Sequence, residues 1–178
     1  MSTPTTLRAP GIAILCADGA VPAVGHTTWN QVARLGEFKG HPQGAFAFTP
    51  EVFAELIANF AETANGRVPV DYEHTSELLP DNAAQEGVPA VAWVVALDDR
   101  GPDGLWGAFE WVDAQAVEYV RARRYLYLSP AVHFDATHRE SGEAIGARLT
   151  SVALTNHPFL DGMAPLTASE PAAHTLGL

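Results

Sequence analysis

The sequence feature that most constrains the fold is a pair of apolar runs separated by a short turn-forming stretch. Residues 88–97 and 105–111 are both apolar and of strand length. Between them, residues 98–104 (DDRGPDG) consist mainly of Asp, Gly and Pro, which favour tight turns. Two strands joined in this way form a β-hairpin, so the pattern predicts an antiparallel sheet.

Other short runs have the composition of strands, and the first is expected to open the sheet. They cover residues 11–17, 68–74, 125–129, 132–134 and 144–154. Two stretches instead repeat apolar residues at helical spacing, one after Thr49-Pro50 and one in residues 113–123. Residues 18–48 show no sustained period and are predicted to be mostly irregular, although residues 45–48 could form a short strand. The predicted fold class is α+β, a small antiparallel β-barrel, closed or half-closed, that is flanked by helices, because closure removes exposed edges.

Composition bounds the domain organisation and the classes of partner. The chain has 178 residues, of which 47% are hydrophobic, enough for one domain with a core. We expect residues 1–160 to form that domain and residues 161–178, which are small and Pro-rich, to form a C-terminal tail. A formal net charge of −11 disfavours nucleic acid and anionic lipid as partners.

The compartment is inferred from cysteine usage and from hydropathy. Cys16 is the only cysteine, so no internal disulfide forms and a reducing environment is expected. No apolar run approaches the roughly 20 residues that span a bilayer. The first ten residues, MSTPTTLRAP, also lack the regions of a signal peptide. The expectation is a protein of the cell interior that does not enter membranes.

Three of the predicted strands carry a small polar or ionisable residue among apolar neighbours, namely His74, Ser129 and Ser151. A serine hydroxyl needs a base to become a nucleophile at neutral pH, and imidazole has a suitable pKa. Such members are assembled by the fold and not by local spacing. We therefore interpret the three residues as a candidate serine protease site. In a regular strand, His74 would lie on the face opposite Asp71 and Glu73.

The blocks VPVDYEH, YLSPAVHF and LTSVALTNHP occur in this order and together resemble the protease of Mu-like bacteriophages, the prophage I protein family. The similarity spans roughly residues 10–160, and it is more distant to other prohead proteases and to the herpesvirus assemblins. The resemblance implies a capsid maturation serine endopeptidase with the assemblin-like fold, a β-barrel surrounded by helices. It also implies that His74 is the base, Ser129 the nucleophile and Ser151, by its position, the third member.

The third member has alternatives. Assemblins carry a second histidine, and other prohead proteases an acidic residue, where this chain has Ser151. A serine accepts a hydrogen bond from imidazole but brings no charge to stabilise imidazolium. His157 and Asp71 are the other candidates and rank after Ser151 by position.

An oxyanion hole is also required, and Pro130 has no N–H to donate to it. The nucleophile elbow of other hydrolases uses the amide after the serine, and that donor is therefore excluded here. The Ser129 amide, another loop amide or the Arg148 side chain are the candidates.

A metal site is the competing interpretation. Residue types that bind zinc occur at Asp71, His74, His133, His138 and His157. Their spacing matches neither HExxH nor a paired-cysteine motif, so a zinc hydrolase is disfavoured. We predict no metal and no cofactor.

The resemblance also implies partners and a location. The substrates would be scaffold and major capsid precursor proteins, including the chain itself, cut between small residues inside the viral prohead in the host cytoplasm. Residues 161–178 would then be the remnant of a linker to a scaffolding region, and a homodimer is one option. The alternative is a non-catalytic capsid assembly or scaffold module on the same fold, since an acidic or histidine third member is missing.

Overall fold

The computed structural model describes residues 7–9, 12–14, 22–63, 66–78 and 87–166. The strands are β1 (Leu7–Ala9), β2 (Ile12–Ile14), β3 (Thr27–Ala33), β4 (Gly36–Phe38), β5 (Phe46–Phe48), β6 (Val68–Tyr72), β7 (Ala92–Asp99), β8 (Leu105–Trp111), β9 (Tyr127–Thr137) and β10 (Ala144–Thr155). The helices are α1 (Pro50–Thr63), α2 (Thr75–Leu78) and α3 (Ala114–Arg121). No helix in these ranges is both long and apolar enough to cross a membrane.

Six of the strands form one curled sheet, a half-barrel, in the order β3-β8-β7-β6-β10-β9. The predicted α+β class is confirmed, and the half-closed sheet is one of the two forms of barrel that were predicted. One detail differs from the predicted antiparallel sheet, because β6 and β10 are parallel. The β9–β10 hairpin inserts β10 next to β6, and the direction of β10 there makes this pair parallel.

The hairpin predicted from the two long apolar runs is confirmed. β7 pairs with β8 from Ala92↔Trp111 to Asp99↔Leu105. The turn between them ends at Gly104, whose φ is 85° and whose backbone lies against that of Ala33. Only glycine fits this position, because it combines a positive φ with no room for a Cβ.

Two short strands predicted at 125–129 and 132–134 are in fact one strand, β9, which continues through Pro130. β9 is the last strand in the sheet order and pairs with β10 on one side. A proline is tolerated there because an edge strand leaves some backbone positions outside any ladder. An extra residue in β10, Thr150, forms a bulge opposite β9.

The prediction that residues 18–48 are mostly irregular is wrong, because they contain β3, which pairs with β8. The short strand that was allowed at residues 45–48 is confirmed, since β5 pairs with β4. The polar residues of β3 concealed that strand, since Thr28 and Asn30 are buried through mutual hydrogen bonding and not exposed. The Thr28 hydroxyl also accepts a hydrogen bond of 2.9 Å from Nε1 of Trp111. Within residues 11–17, β2 pairs with β1 in a separate small sheet, while the remainder, including Cys16, lies outside the described residues.

Both predicted helices are confirmed. Thr49 caps α1 by accepting a hydrogen bond from the amide of Val52. Asp113 caps α3 in the same way, at 2.7 Å from the amide of Ala116. The buried face of α1 lies on β10, where Asn59 donates to the carbonyls of residues 145 and 147.

The chain continues to pack beyond residue 160. Met163 and Leu166 are buried, and the amide of Leu166 donates to the carbonyl of Leu126 at 2.7 Å. The amide of Ala164 donates to Oε1 of Gln31 on β3. Residues 161–166 are thus tied to both ends of the six-stranded sheet, whereas residues 167–178 lie outside the described part of the chain.

Candidate active site

The strands β6, β10 and β9 have one apolar and one polar face. Val70, Val152 and Leu128 are buried in the core on the apolar face. We call the opposite side the outer face, defined by five residues: Asp71, Ser129, Ser151, Ala153 and Thr155. This face carries the serine residues that the sequence singled out.

The strand register places Asp71, Ala153 and Ser129 in one row across the outer face. Asp71 of β6 is the partner of Ala153 of β10, and Ala153 is the partner of Ser129 of β9. Neighbouring strands are about 4.8 Å apart, so the Cα atoms of Asp71 and Ser129 are separated by about 10 Å. Only the methyl group of Ala153 stands between them in this row.

His74 does not lie on β6, and the prediction that it closes this strand is wrong. β6 ends at Tyr72, and the next two residues, Glu73 and His74, have φ values of 52° and 56°. Two successive left-handed residues reverse the chain direction, which a regular strand cannot do. The Thr75 hydroxyl then donates to the carbonyl of Tyr72 and closes the turn.

The turn and α2, residues 73–78, fold back over the outer face. Three hydrogen bonds of 2.7 Å attach this segment to the sheet: Ser76 N to Asp71 Oδ2, Thr150 Oγ1 to Glu77 Oε1, and Thr155 Oγ1 to Glu73 Oε2. His74 was expected on the face of the strand opposite Asp71. This prediction is wrong, because His74 belongs to the segment that covers Asp71.

Burial is the main influence on the His74 imidazole. It lowers the pKa of His74 below its ordinary value, because removal from water penalises imidazolium. Negative charges oppose this effect, that of Asp71 most strongly, followed by those of Glu77 and Glu73. His74 is therefore held in the neutral form that can accept a proton, with carboxylates nearby to stabilise it once charged.

Unpaired buried polar atoms are concentrated at this place. In the described part of the chain, four buried side-chain atoms have no hydrogen-bond partner: Asp71 Oδ1, Tyr72 Oη, His74 Nδ1 and Ser151 Oγ. Each such atom costs about 1–3 kcal/mol when left unsatisfied. Three of the four belong to the outer face or to the turn above it, which is typical of a functional site.

The structure thus brings His74, Ser129, Ser151 and Asp71 to one face of the sheet. Ser129 is half-buried on the edge strand, whereas Ser151 is only 1% exposed. Ser129 is therefore the more accessible of the two serines. No hydrogen bond joins His74 to Ser129 among the described residues.

The other candidates lie away from the row. His157 is exposed, follows the end of β10, and lines an open cleft together with Tyr127 and Met163. Arg148 is the partner of His133, so its backbone is four residues, or about 13 Å, along β9 from Ser129. Sequence position therefore ranked His157 above Asp71, although the register places Asp71 in the same row as Ser129.

Sequence reasoning missed the covering residues Ser76 and Glu77. They lie in α2, Thr75–Leu78, a polar four-residue helix with no buried residue. No apolar periodicity signals so short a helix. The described ranges contain no group of three His, Cys, Asp or Glu side chains that could hold a metal ion.

The fold and the site define a class of protein: an α+β domain whose half-barrel sheet gathers an imidazole, hydroxyls and a buried carboxylate on its outer face. The chain belongs to the Mu-like prophage I protein family, because the model of that family's N-terminal domain matches residues 30–167. The resemblance to this family is confirmed, and the protein is phage-related. No curated protein and no solved structure matches the chain.

Proposed function

We propose that this protein is a serine endopeptidase of capsid maturation, with Ser129 as the nucleophile and His74 as the general base. The observation that supports the proposal is the register Asp71↔Ala153↔Ser129, which puts an accessible serine on the face that the His74 turn covers. Membership of a Mu-like prophage family adds the viral context. An assemblin-like barrel is part of this proposal.

The reaction requires only groups of this chain and water. Neutral His74 takes the hydroxyl proton as Ser129 Oγ bonds to the scissile carbonyl carbon. The protonated imidazole then gives this proton to the leaving amine as the C–N bond breaks, which leaves an acyl-enzyme. Water, deprotonated by the same imidazole, attacks the ester carbonyl and releases the new carboxyl end with Ser129 regenerated.

The substrates of this proposal are scaffold and major capsid precursor proteins, including the enzyme itself, cut inside the prohead in the host cytoplasm. An extended peptide is the form that reaches Ser129, because the serine lies on an edge strand. Small side chains beside the scissile bond are part of the same proposal and come from the resemblance to the prohead proteases.

A fluorophosphonate probe tests the proposal, since it modifies only an activated serine. Wild-type chain should be labelled at Ser129, and both Ser129→Ala and His74→Ala should abolish the labelling. Ser141→Ala is the matched control, because Ser141 is an exposed serine of the β9–β10 turn that also contacts a histidine. Labelling that persists in Ser129→Ala would contradict the assignment of the nucleophile.

A non-catalytic capsid assembly module is the second candidate. The observation that favours it is the missing hydrogen bond between His74 and Ser129 in the described structure, although such bonds often form only when substrate is bound. A folded wild-type chain that resists the probe, yet co-sediments with capsid precursor, would favour this candidate over the enzyme.

A further inference from the structure

We propose that Asp71, and not Ser151, is the positioning residue of this site: its carboxylate accepts the Nδ1–H of His74 and aims Nε2 at Ser129. The inference rests on the proposed function, which it deepens by naming the group that orients the base. It differs from the order that sequence position alone suggested, in which Ser151 ranked first.

The dimensions of the row fit this arrangement. Asp71 and Ser129 stand on either side of Ala153, with about 10 Å between their Cα atoms. An imidazole with a hydrogen bond of about 2.8 Å on each side spans about 8 Å between the two outer oxygens. Ala153, which stands between them, has only a methyl side chain and is 0% exposed, so other groups of the chain cover it. Ser151 lies in the next row, beside Ala131.

The unpaired Nδ1 of His74 is better matched by the unpaired oxygen of Asp71 than by the hydroxyl of Ser151. The amide of Ser76 holds Asp71 Oδ2, while Oδ1 is buried without a partner in the described structure, as is Nδ1 of His74. A carboxylate only accepts, so one bond from Nδ1–H satisfies both atoms at once. The Ser151 hydroxyl could also accept that bond, but its own proton would still need a buried acceptor.

The charges around the imidazole lead to the same residue. Asp71 exerts the strongest of the three carboxylate effects on His74, ahead of Glu77 and Glu73, which belong to the covering segment. The outer-face residues of β10 and β9, which are Ser151, Ala153, Thr155 and Ser129, carry no charge. Asp71 is also only 2% exposed as a residue, so the effect of its carboxylate on imidazolium is weakly screened by solvent.

The first experiment compares rates of fluorophosphonate labelling against pH for the full chain and its variants. Asp71→Asn keeps an oxygen for the Ser76 amide but loses the charge, so labelling should slow by roughly 10²- to 10⁴-fold. The acid limb of the pH–rate profile of Asp71→Asn should move to lower pH. Ser151→Ala should lose much less of the labelling rate, and its acid limb should stay at the wild-type position. Near wild-type rates in Asp71→Asn, with the large loss in Ser151→Ala, would overturn the inference.

The second experiment measures the His74 ring by NMR titration in a Ser129→Ala background, where catalysis plays no part. Asp71→Asn should lower the pKa of His74, and Asp71→Glu should restore it, which also controls for misfolding. A His74 pKa that is unchanged by Asp71→Asn would overturn the positioning role. If wild type is never labelled but the titration responds to Asp71, the proposed function fails and the His74–Asp71 pairing stands.

Discussion

At the scale of single residues, burial and charge act in opposite directions on His74, and burial is the larger effect. The result is an imidazole that stays neutral to lower pH than one in water, as a general base for near-neutral chemistry requires. The nearby carboxylates become useful only when the ring takes up a proton. The carboxylates therefore add little while the imidazole is neutral, but they already lie where they stabilise imidazolium when it forms.

This balance predicts a pH dependence of stability. The pKa of His74 is lower in the folded chain than its ordinary value of about 6.5, so the unfolded state binds more protons in acid. The stabilising contribution is complete above about pH 6.5 and is lost as the pH falls through and below that value. Urea unfolding of wild type and His74→Gln at several pH values measures it.

The unfolding free energy of wild type, relative to His74→Gln, should be larger near neutral pH than in mild acid. The glutamine variant serves as its own reference for the other titrating groups, which are common to both chains. A difference that stays constant with pH would show that His74 is not desolvated as described.

At the scale of elements, left-handed residues determine where helices and strands end. Glu73 and His74 end β6 and start the covering turn, and Arg123, with φ 56°, follows the C-terminus of α3. A non-glycine residue in this conformation costs roughly 1 kcal/mol or more. His74 belongs to the candidate site, whereas the Arg123 side chain is exposed.

Arg123→Gly should therefore stabilise the protein by up to about 1 kcal/mol, because relief of the left-handed strain exceeds the added entropy of the unfolded chain. Ala122→Gly is the matched control, since Ala122 has φ −78° and gains nothing from glycine. Chemical denaturation of the three chains measures the effect. An Arg123→Gly variant that is destabilised as much as Ala122→Gly would contradict the prediction.

At the scale of the whole molecule, the half-barrel leaves β9 as an edge strand with Ser129 near its start. The chain returns to this edge at Leu166, whose amide is bonded to the carbonyl of Leu126. Leu126 precedes Ser129 by three residues, or about 10 Å of extended chain, so the last described residue is bonded near the candidate nucleophile. The sequence of residues 167–178 is rich in small residues.

We expect a chain extended beyond residue 178 by a tag to be cut within the segment 164–174, APLTASEPAAH, and its Ser129→Ala variant to remain intact. The physical reason is proximity, because a tethered segment reaches the serine at a high effective concentration. Intact-mass spectrometry of both proteins measures the C-terminus directly. Identical C-termini in the two samples would exclude self-cleavage by Ser129.

The sequence by itself determined the elements that depend on local chemistry. The Thr49-Pro50 cap and the apolar spacing after it specify α1, and the turn residues 98–104 specify the β7–β8 hairpin. The three ordered blocks were enough to indicate the Mu-like prophage family. These features were readable because each rests on residues close together in the chain.

Only the tertiary structure decided how distant residues meet. No local sequence signal predicts the left-handed conformation of Glu73 and His74. None predicts β3 either, because its residues Thr28 and Asn30 are polar and yet buried. The row from Asp71 to Ser129 depends on the register of three strands from separate parts of the chain. Register follows from which apolar face is buried across the whole sheet, so it exists only once the sheet has formed.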